Sequence, residues 1–171
     1  MELKLQPCVI TDLEKLVKIS KETFIDAFEK DNDPEDFASY IHKAFNKEQL
    51  LSEMENKDTE FYFVFFGQEL IGYLKLNKAS AQSDIKDGQS LELERIYVMR
   101  QFQGKGAGKW LLDQVIQIAR RATLSYIWLG VWEKNEAAIR FYLRHGFQQF
   151  GTHPYYIGKD KQTDFLMRLD L

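Results

Sequence analysis

The sequence predicts the α/β (α+β) class, a mixed β-sheet flanked by helices. Three observations lead there. Apolar residues recur at helical spacing between residues 11 and 54, and the pattern changes to strand-like runs at Phe61. The elements then follow in the order βααα-βββ-α-β-α-ββ, which interleaves helices with strands. The chain has 171 residues and is 44% hydrophobic, enough for one sizeable core, so residues 1–171 read as one domain.

Each element has a local cause. Glu2–Gln6 alternates, with Leu3 and Leu5 on one face of a short strand. Thr11, with Glu14 three residues on, is the expected cap of a helix carrying Leu13, Leu16, Val17 and Phe24. Pro34 suits the first turn of a second helix bearing Phe37, Tyr40, Ile41 and Phe45, and Asn46 with Gln49 caps a third through Leu50, Leu51 and Met54. Phe61–Phe66 and Leu70–Leu76 are strands joined by a turn at Gly67, and polar residues 79–88 read as a loop. Leu91–Val98 is a strand in which Glu92, Glu94, Ile96 and Val98 are expected to share a face. A glycine turn at Gly104–Gly108 precedes a helix whose buried side is Leu111, Leu112, Val115, Ile116 and Ala119. Ser125–Val131 is a strand, Asn135 caps a helix to about His145, and Phe147–Phe150 and Asp164–Leu169 are the closing strands.

Composition excludes several function classes. Cys8 is the sole cysteine, so neither an intramolecular disulfide nor a thiol-rich metal site is expected, and no metal is assigned. The first residues do not resemble a signal peptide and no apolar run reaches membrane-spanning length, so the expectation is a cytoplasmic protein without a membrane partner. A net charge of −3 argues against nucleic-acid binding by bulk charge. That charge is uneven: Asp26, Glu29, Asp31, Asp33, Glu35 and Asp36 against Lys30 give a local −5, leaving +2 elsewhere. Such a run is either a solvated loop or an attractor for a cationic substrate.

The turn Gln103-Gly104-Lys105-Gly106-Ala107-Gly108-Lys109 lies between a strand and a helix. Glycines at alternate positions let the backbone curl and aim N–H groups at one point, and the first helical turn adds its free amides and dipole. A diphosphate suits such a cradle. The spacing misses a P-loop, because only three residues separate Gly104 from Gly108 and Trp110 follows Lys109. It also misses the dinucleotide fingerprint, since Lys109 stands where the last glycine belongs.

What fits is Gln-x-x-Gly-x-Gly read around Gln103–Gly108 after the strand Glu94–Val98, and this resembles the coenzyme A loop of the GCN5-related N-acetyltransferases (GNAT). A second block, Asn135-Glu136-Ala137-Ala138-Ile139-Arg140-Phe141-Tyr142 through Gly146-Phe147, is similar to that superfamily's Asn-x-x-Ala-x-x-Phe-Tyr pattern, one helix and one strand further on. Glu22-Thr23-Phe24, Pro34-Glu35-Asp36, Tyr40, Ala44-Phe45 and the segment Gly151–Leu171 look like the PaiA-type bacterial spermidine/spermine N-acetyltransferases. The resemblance implies a mostly antiparallel twisted sheet of about seven strands, splayed at the cofactor-binding strand.

It also implies a reaction, direct transfer of an acetyl group from acetyl-CoA to a primary amine. The partner would be a small-molecule amine, a polyamine such as spermidine or spermine first among them. Another amine (a peptide or protein N-terminus, or an aminosugar) and a non-catalytic CoA-binding sensor are the alternatives, and the enzyme would be a monomer or homodimer. Pantetheine would follow Ile96, Tyr97 and Val98. The pyrophosphate would sit on Gln103, Gly104, Lys105, Gly106, Ala107, Gly108 and Lys109. Asn135 would bond the pantetheine arm and Tyr142 would protonate the departing sulfur. Glu94 or Glu92 would take the amine proton, because Gly130 stands where some members of the family have a glutamate. The last hairpin, with His153, Pro154, Tyr155 and Tyr156, borders the expected groove.

Overall fold

Helix starts in this chain are set by side chains that satisfy first-turn amides. In the computed structural model, which describes residues 2–171, helix α2 (Pro34–Ala44) has Pro34 in its first turn. Asp33 Oδ1 there accepts from the Glu35 and Asp36 amides at 3.0 and 3.1 Å. Helix α3 (Lys47–Glu55) begins with Asn46 Oδ1 accepting from Gln49 N at 2.8 Å. The expected cap at Thr11 is not used. Residues Ile10–Asp12 form a 3-10 turn, Asp12 accepts from Val9 N at 3.0 Å, and helix α1 runs Leu13–Phe28. The carboxylate of Asp12 outcompetes the neighbouring hydroxyl because it reaches back to an orphan amide. No helix among the described residues is long and apolar enough to cross a membrane.

Among the described residues, seven strands make one sheet: β1 (Leu3–Pro7), β2 (Thr59–Phe66), β3 (Glu69–Lys78), β4 (Ser90–Val98), β5 (Tyr126–Trp132), β6 (Gln148–Ile157) and β7 (Asp160–Asp170). Their order is β1-β2-β3-β4-β5-β7-β6. Every neighbouring pair is antiparallel except β4 and β5. On one face, α4 (Ala107–Arg121) and α5 (Glu136–Arg144) bury Leu111, Leu112, Val115 and Tyr142 against Val64, Leu74, Leu91 and Ile127. The other face takes Leu16, Ile19 and Phe24 of α1, Phe37 of α2 and Leu50 of α3 against Phe61, Phe63 and Tyr73. Each such buried side chain contributes about 1.5–3 kcal/mol of transfer free energy.

Strand β4 departs from simple alternation. Lys75 pairs with Arg95 but Leu76 pairs with Leu93, so Glu94 is an extra, bulged residue. Leu91, Leu93, Ile96 and Val98 all pack toward α4 and α5, whereas Tyr97 packs with the α1–α3 core and Arg95 lies 5.0 Å from the Phe45 ring centroid. Glu92 and Glu94 therefore do not share a face with Ile96 and Val98. The bulge reverses the parity that strict alternation predicts.

The closing hairpin is longer than its apolar residues indicate, because β6 is an edge strand and the start of β7 is polar. Its turn holds Gly158 at φ +58°, and a Cβ there would overlap the Asp36 side chain on α2. Gly158→Ala should lower stability by at least about 1–2 kcal/mol for the left-handed backbone alone. In urea unfolding the loss should shrink in an Asp36→Ala background, and equal losses in both would exclude the α2–hairpin approach as a cause.

Candidate active site

The parallel pair at the middle of the sheet is short. β4 and β5 pair only at Ser90–Tyr126, Leu91–Ile127 and Glu92–Trp128. Beyond these, β4 stays with β3 as far as Val98–Gly72, and β5 stays with β7 as far as Trp132–Asp164. The strands part, and a cleft opens between them. β4 lines it with Leu93, Glu94, Ile96 and Tyr97, and β5 with Leu129–Trp132. Asn135, Ala138 and Tyr142 of α5 close one side. Phe24 and Phe28 of α1, with Tyr155, Ile157, Gln162 and Asp164 of the hairpin, close the other. The cleft thus connects the two faces of the sheet.

On the α5 side, Asn135 Oδ1 caps the helix by accepting from Ala138 N at 3.2 Å. Tyr142 is held by aromatic contacts, its ring 5.3 Å from Phe141 and 5.4 Å from Phe147. Burial pushes its phenol well above the ordinary range, so the proton stays on. Further along β4, Gln103 Nε2 donates to the Val98 carbonyl at 2.8 Å and ties the glycine turn to the strand end. Gly104 and Gly106 adopt φ +72° and +85°, and Gly106 opens α4. The amides of Ala107, Gly108 and Lys109 in the first turn have no intrahelical acceptor. Lys109 pairs with Asp113 at 2.7 Å, and Lys105 lies 5.7 Å from the Phe102 ring centroid.

On the α1–α3 side the carboxylates differ in their surroundings. Burial opposes the charge on Glu94, but Arg95 and Lys75, with bonds from Lys75 (2.5 Å) and Asn77 (2.8 Å), outweigh it and hold that carboxyl below the usual range. Glu53 of α3 completes the cluster, 3.1 Å from both Lys75 and Arg95. Glu92 lies outside the cleft lining. It accepts from Asn77 Nδ2 and Ser83 N at 2.9 and 2.8 Å and from the Ser83 hydroxyl. Burial and then the neighbouring Glu94 push its carboxyl up. The segment after β3, read as a plain loop, supplies Ser83, which binds Glu92 outside the cleft lining, whereas Glu94 lies in it.

Of the residues expected at the site, the fold brings Glu94, Ile96, Tyr97, Asn135 and Tyr142 into one cleft. Val98 and Gln103–Lys109 follow on beyond it, toward α4. Tyr155 lines the cleft and its hydroxyl meets that of Tyr40, whereas His153 pairs with Asp84 at 2.6 Å. Asp164 was not singled out by the sequence. Its carboxyl is pushed up to about 6 by burial, an effect that His153 only partly offsets. The one available signal was Gly130, whose missing side chain leaves the space: a Cβ there would lie 3.2 Å from Asp164 Oδ2.

A model of the acetyltransferase (GNAT) family matches residues 13–147. The chain belongs to the GNAT family. This GNAT protein is 43% identical over 157 residues to the uncharacterised N-acetyltransferase in the pepI 3' region of Lactobacillus delbrueckii subsp. lactis, covering 92% of this chain and 91% of that one. It is 26% identical over 152 residues to the spermidine N(1)-acetyltransferase of Thermoplasma acidophilum, with 86% and 89% covered. Its fold is similar to that of the PaiA N-acetyltransferase of Thermoplasma acidophilum solved with coenzyme A, at a TM-score of 0.78 over all of both chains and 24% identity. The chain is an N-acetyltransferase of GNAT type, with the seven-stranded, mostly antiparallel sheet that the motifs imply.

Proposed function

We propose that this GNAT acetyltransferase moves an acetyl group from acetyl-CoA directly to a primary amine of a polyamine such as spermidine or spermine. The observation that carries the reading is the cleft between β4 and β5, which joins the α4–α5 face to a carboxylate-bearing α1–α3 face. The residues fit the cosubstrate: the β4 edge beyond Glu92 has no strand partner on the β5 side, and free first-turn amides follow at α4. Acetyl-CoA would supply an activated acyl thioester. Ile96, Tyr97 and Val98 would align its pantetheine arm, with Asn135 opposite, and the Gly104–Lys109 amides would hold the pyrophosphate. Tyr142, lining the cleft with its proton retained, would act as acid toward the leaving sulfur. Glu94 would present negative potential to an incoming ammonium, although Lys75 and Arg95 already offset much of its charge.

The acidic run supports a polycation. Asp33 is engaged as the α2 cap and Asp26 pairs with Arg100 at 3.4 Å, so Glu29, Asp31 and Glu35 are left exposed. They adjoin the cleft, because Phe28 lines it and Asn32 Oδ1 accepts from the cleft residue Gln162 at 2.7 Å. Two relatives point the same way by name, the Thermoplasma spermidine enzyme and a spermine/spermidine N(1)-acetyltransferase of Bacillus subtilis, 30% identical over 86 residues covering 50% of this chain and 57% of that one.

Thiol release over a panel of polyamines, monoamines, aminosugars and peptides tests this reading. Spermidine should saturate at about tenfold lower concentration than a monoamine, the scale of 1.4 kcal/mol of electrostatic attraction. Replacing Glu29, Asp31 and Glu35 by their amides should erase that gap without uncapping α2. A monoamine or peptide preferred over spermidine would overturn the acceptor assignment.

A further inference from the structure

We propose that Asp164 is the base of the transfer, the group that takes protons from the acceptor amine; the assignment rests on the acetyl-transfer reading above. Three carboxylates borne by the sheet face the α1–α3 side near the splay, and they differ in what they already hold. Glu92 accepts three hydrogen bonds and sits outside the cleft lining. Glu94 accepts from Lys75 and Asn77 and lies 4.0 Å from Arg95. Asp164 lines the cleft and, among the described residues, makes neither a hydrogen bond nor an ion pair. A carboxylate stabilised by a lysine and an amide is a weak base. One left without donors in a half-buried wall is a strong one.

Placement follows from the register. Trp132 pairs with Asp164 and Gly130 with Leu166, so Asp164 projects on the same face as Gly130. The absent side chain of Gly130 leaves room for the Asp164 carboxylate beside the open end of β5. Other polar groups around it leave its lone pairs free. His153, its cross-strand neighbour on β6, is bound to Asp84. Gln162 on β7 donates to Asn32 and Asp160. Glu94 faces the cleft from β4 with Lys75 and Arg95 behind it, and the remaining facing titratable groups, Tyr97, Tyr142 and Tyr155, have phenols that burial keeps neutral. Burial places the Asp164 carboxyl at about 6, nearer to working pH than an exposed aspartate.

The proton count closes. Asp164 takes one proton from the ammonium and passes it to solvent. The neutral nitrogen attacks the thioester carbonyl carbon, the C–N bond forms and the C–S bond breaks. Asp164 then accepts the second nitrogen proton while Tyr142 gives its phenolic proton to sulfur. Return of the Asp164 proton to Tyr142 through water restores both groups, with one proton released per turnover.

The test compares wild type, Asp164→Asn and Asp164→Glu by thiol release with spermidine and by melting with and without acetyl-CoA. Asp164→Asn should lose about 100-fold or more in kcat. Its acetyl-CoA-induced Tm rise should be unchanged, and the acidic limb near pH 6 in kcat/KM should vanish. Asp164→Glu should keep that limb and recover part of the rate. Stability gives a second readout: the folded carboxyl at about 6 lies above an unfolded value near 3.9, so stability falls as pH rises between those two values and the full cost is present above 6. Asp164→Asn should therefore raise Tm at pH 8 and leave it unchanged at pH 4. Near-normal kcat in Asp164→Asn overturns the base assignment while acetyl transfer stands. A lowered Tm at pH 8, or loss of the acetyl-CoA response, overturns it in favour of a structural role. Wild type that releases no thiol with any amine overturns the transfer reading, and the base assignment falls with it.

Discussion

Tyr142→Phe should lower kcat by about 100- to 10,000-fold, the usual range for a positioned general acid. The acetyl-CoA-dependent rise in Tm should persist, because the ring keeps its contacts with Phe141 and Phe147. Proton availability sets this expectation. Burial holds the Tyr142 phenol above its ordinary value of about 10 and so keeps its proton in place between turnovers; giving that proton to a thiolate with a reference pKa of about 8.5 is uphill and is driven by C–S cleavage and reprotonation of the phenolate. Burial also makes the phenolate costly, which favours prompt return of a proton after each turnover. If the phenol is the acid, removing it slows C–S cleavage without altering substrate capture, so kcat falls and the Kd for acetyl-CoA does not. Turnover equal to wild type at every pH would remove Tyr142 from the chemistry.

Glu53→Gln should destabilise the protein by about 3–5 kcal/mol in denaturant unfolding, the cost of breaking a buried ion pair on one side. The cluster balances two cations, Lys75 and Arg95, against two carboxylates, Glu53 and Glu94. The cation side chains are only 7% and 11% exposed, so the loss of Glu53 leaves uncompensated positive charge behind α3. Glu14→Gln is the matched control. It breaks an ion pair with Lys47 whose side chains are 80% and 61% exposed, and solvent screening should leave its loss much the smaller of the two. A Glu53→Gln loss as small as the control would mean that water reaches the cluster freely. The same cluster bears on the cleft, since Lys75 and Arg95 hold Glu94 charged at its wall.

What could be read from the residues, and what could not, divides along a physical line. Caps and glycine turns are local, so Pro34, Asn46 and Asn135 behaved as their side chains dictate, and the motifs around Gln103–Gly108 and Asn135–Tyr142 identified the family. Bulges are not local. Nothing in Leu91–Val98 announces that Glu94 is skipped by its partner strand, because the skip is decided by how Arg95 and Leu93 find Lys75 and Leu76. Side-chain commitment is equally remote: Glu92 looked available until Ser83 claimed it from a polar segment with no pattern of its own. Asp164 lay in a polar stretch at the start of β7, and the role proposed for it depends on the space left by Gly130, more than thirty residues earlier.

The sheet order β5-β7-β6 also has a kinetic side. Strand β7 inserts between β5 and β6, so a chain folded only as far as β6 would leave the β7-side edge of β5 open along its whole length. That edge holds Leu129, Val131 and Trp132, an apolar template for pairing with other chains. Arrival of β7 removes the template and delivers the wall bearing Asp164 in a single event. With Asp164 in its proposed role, catalytic competence and protection from aggregation would be acquired together, through the longest-range pairing of the fold's second half.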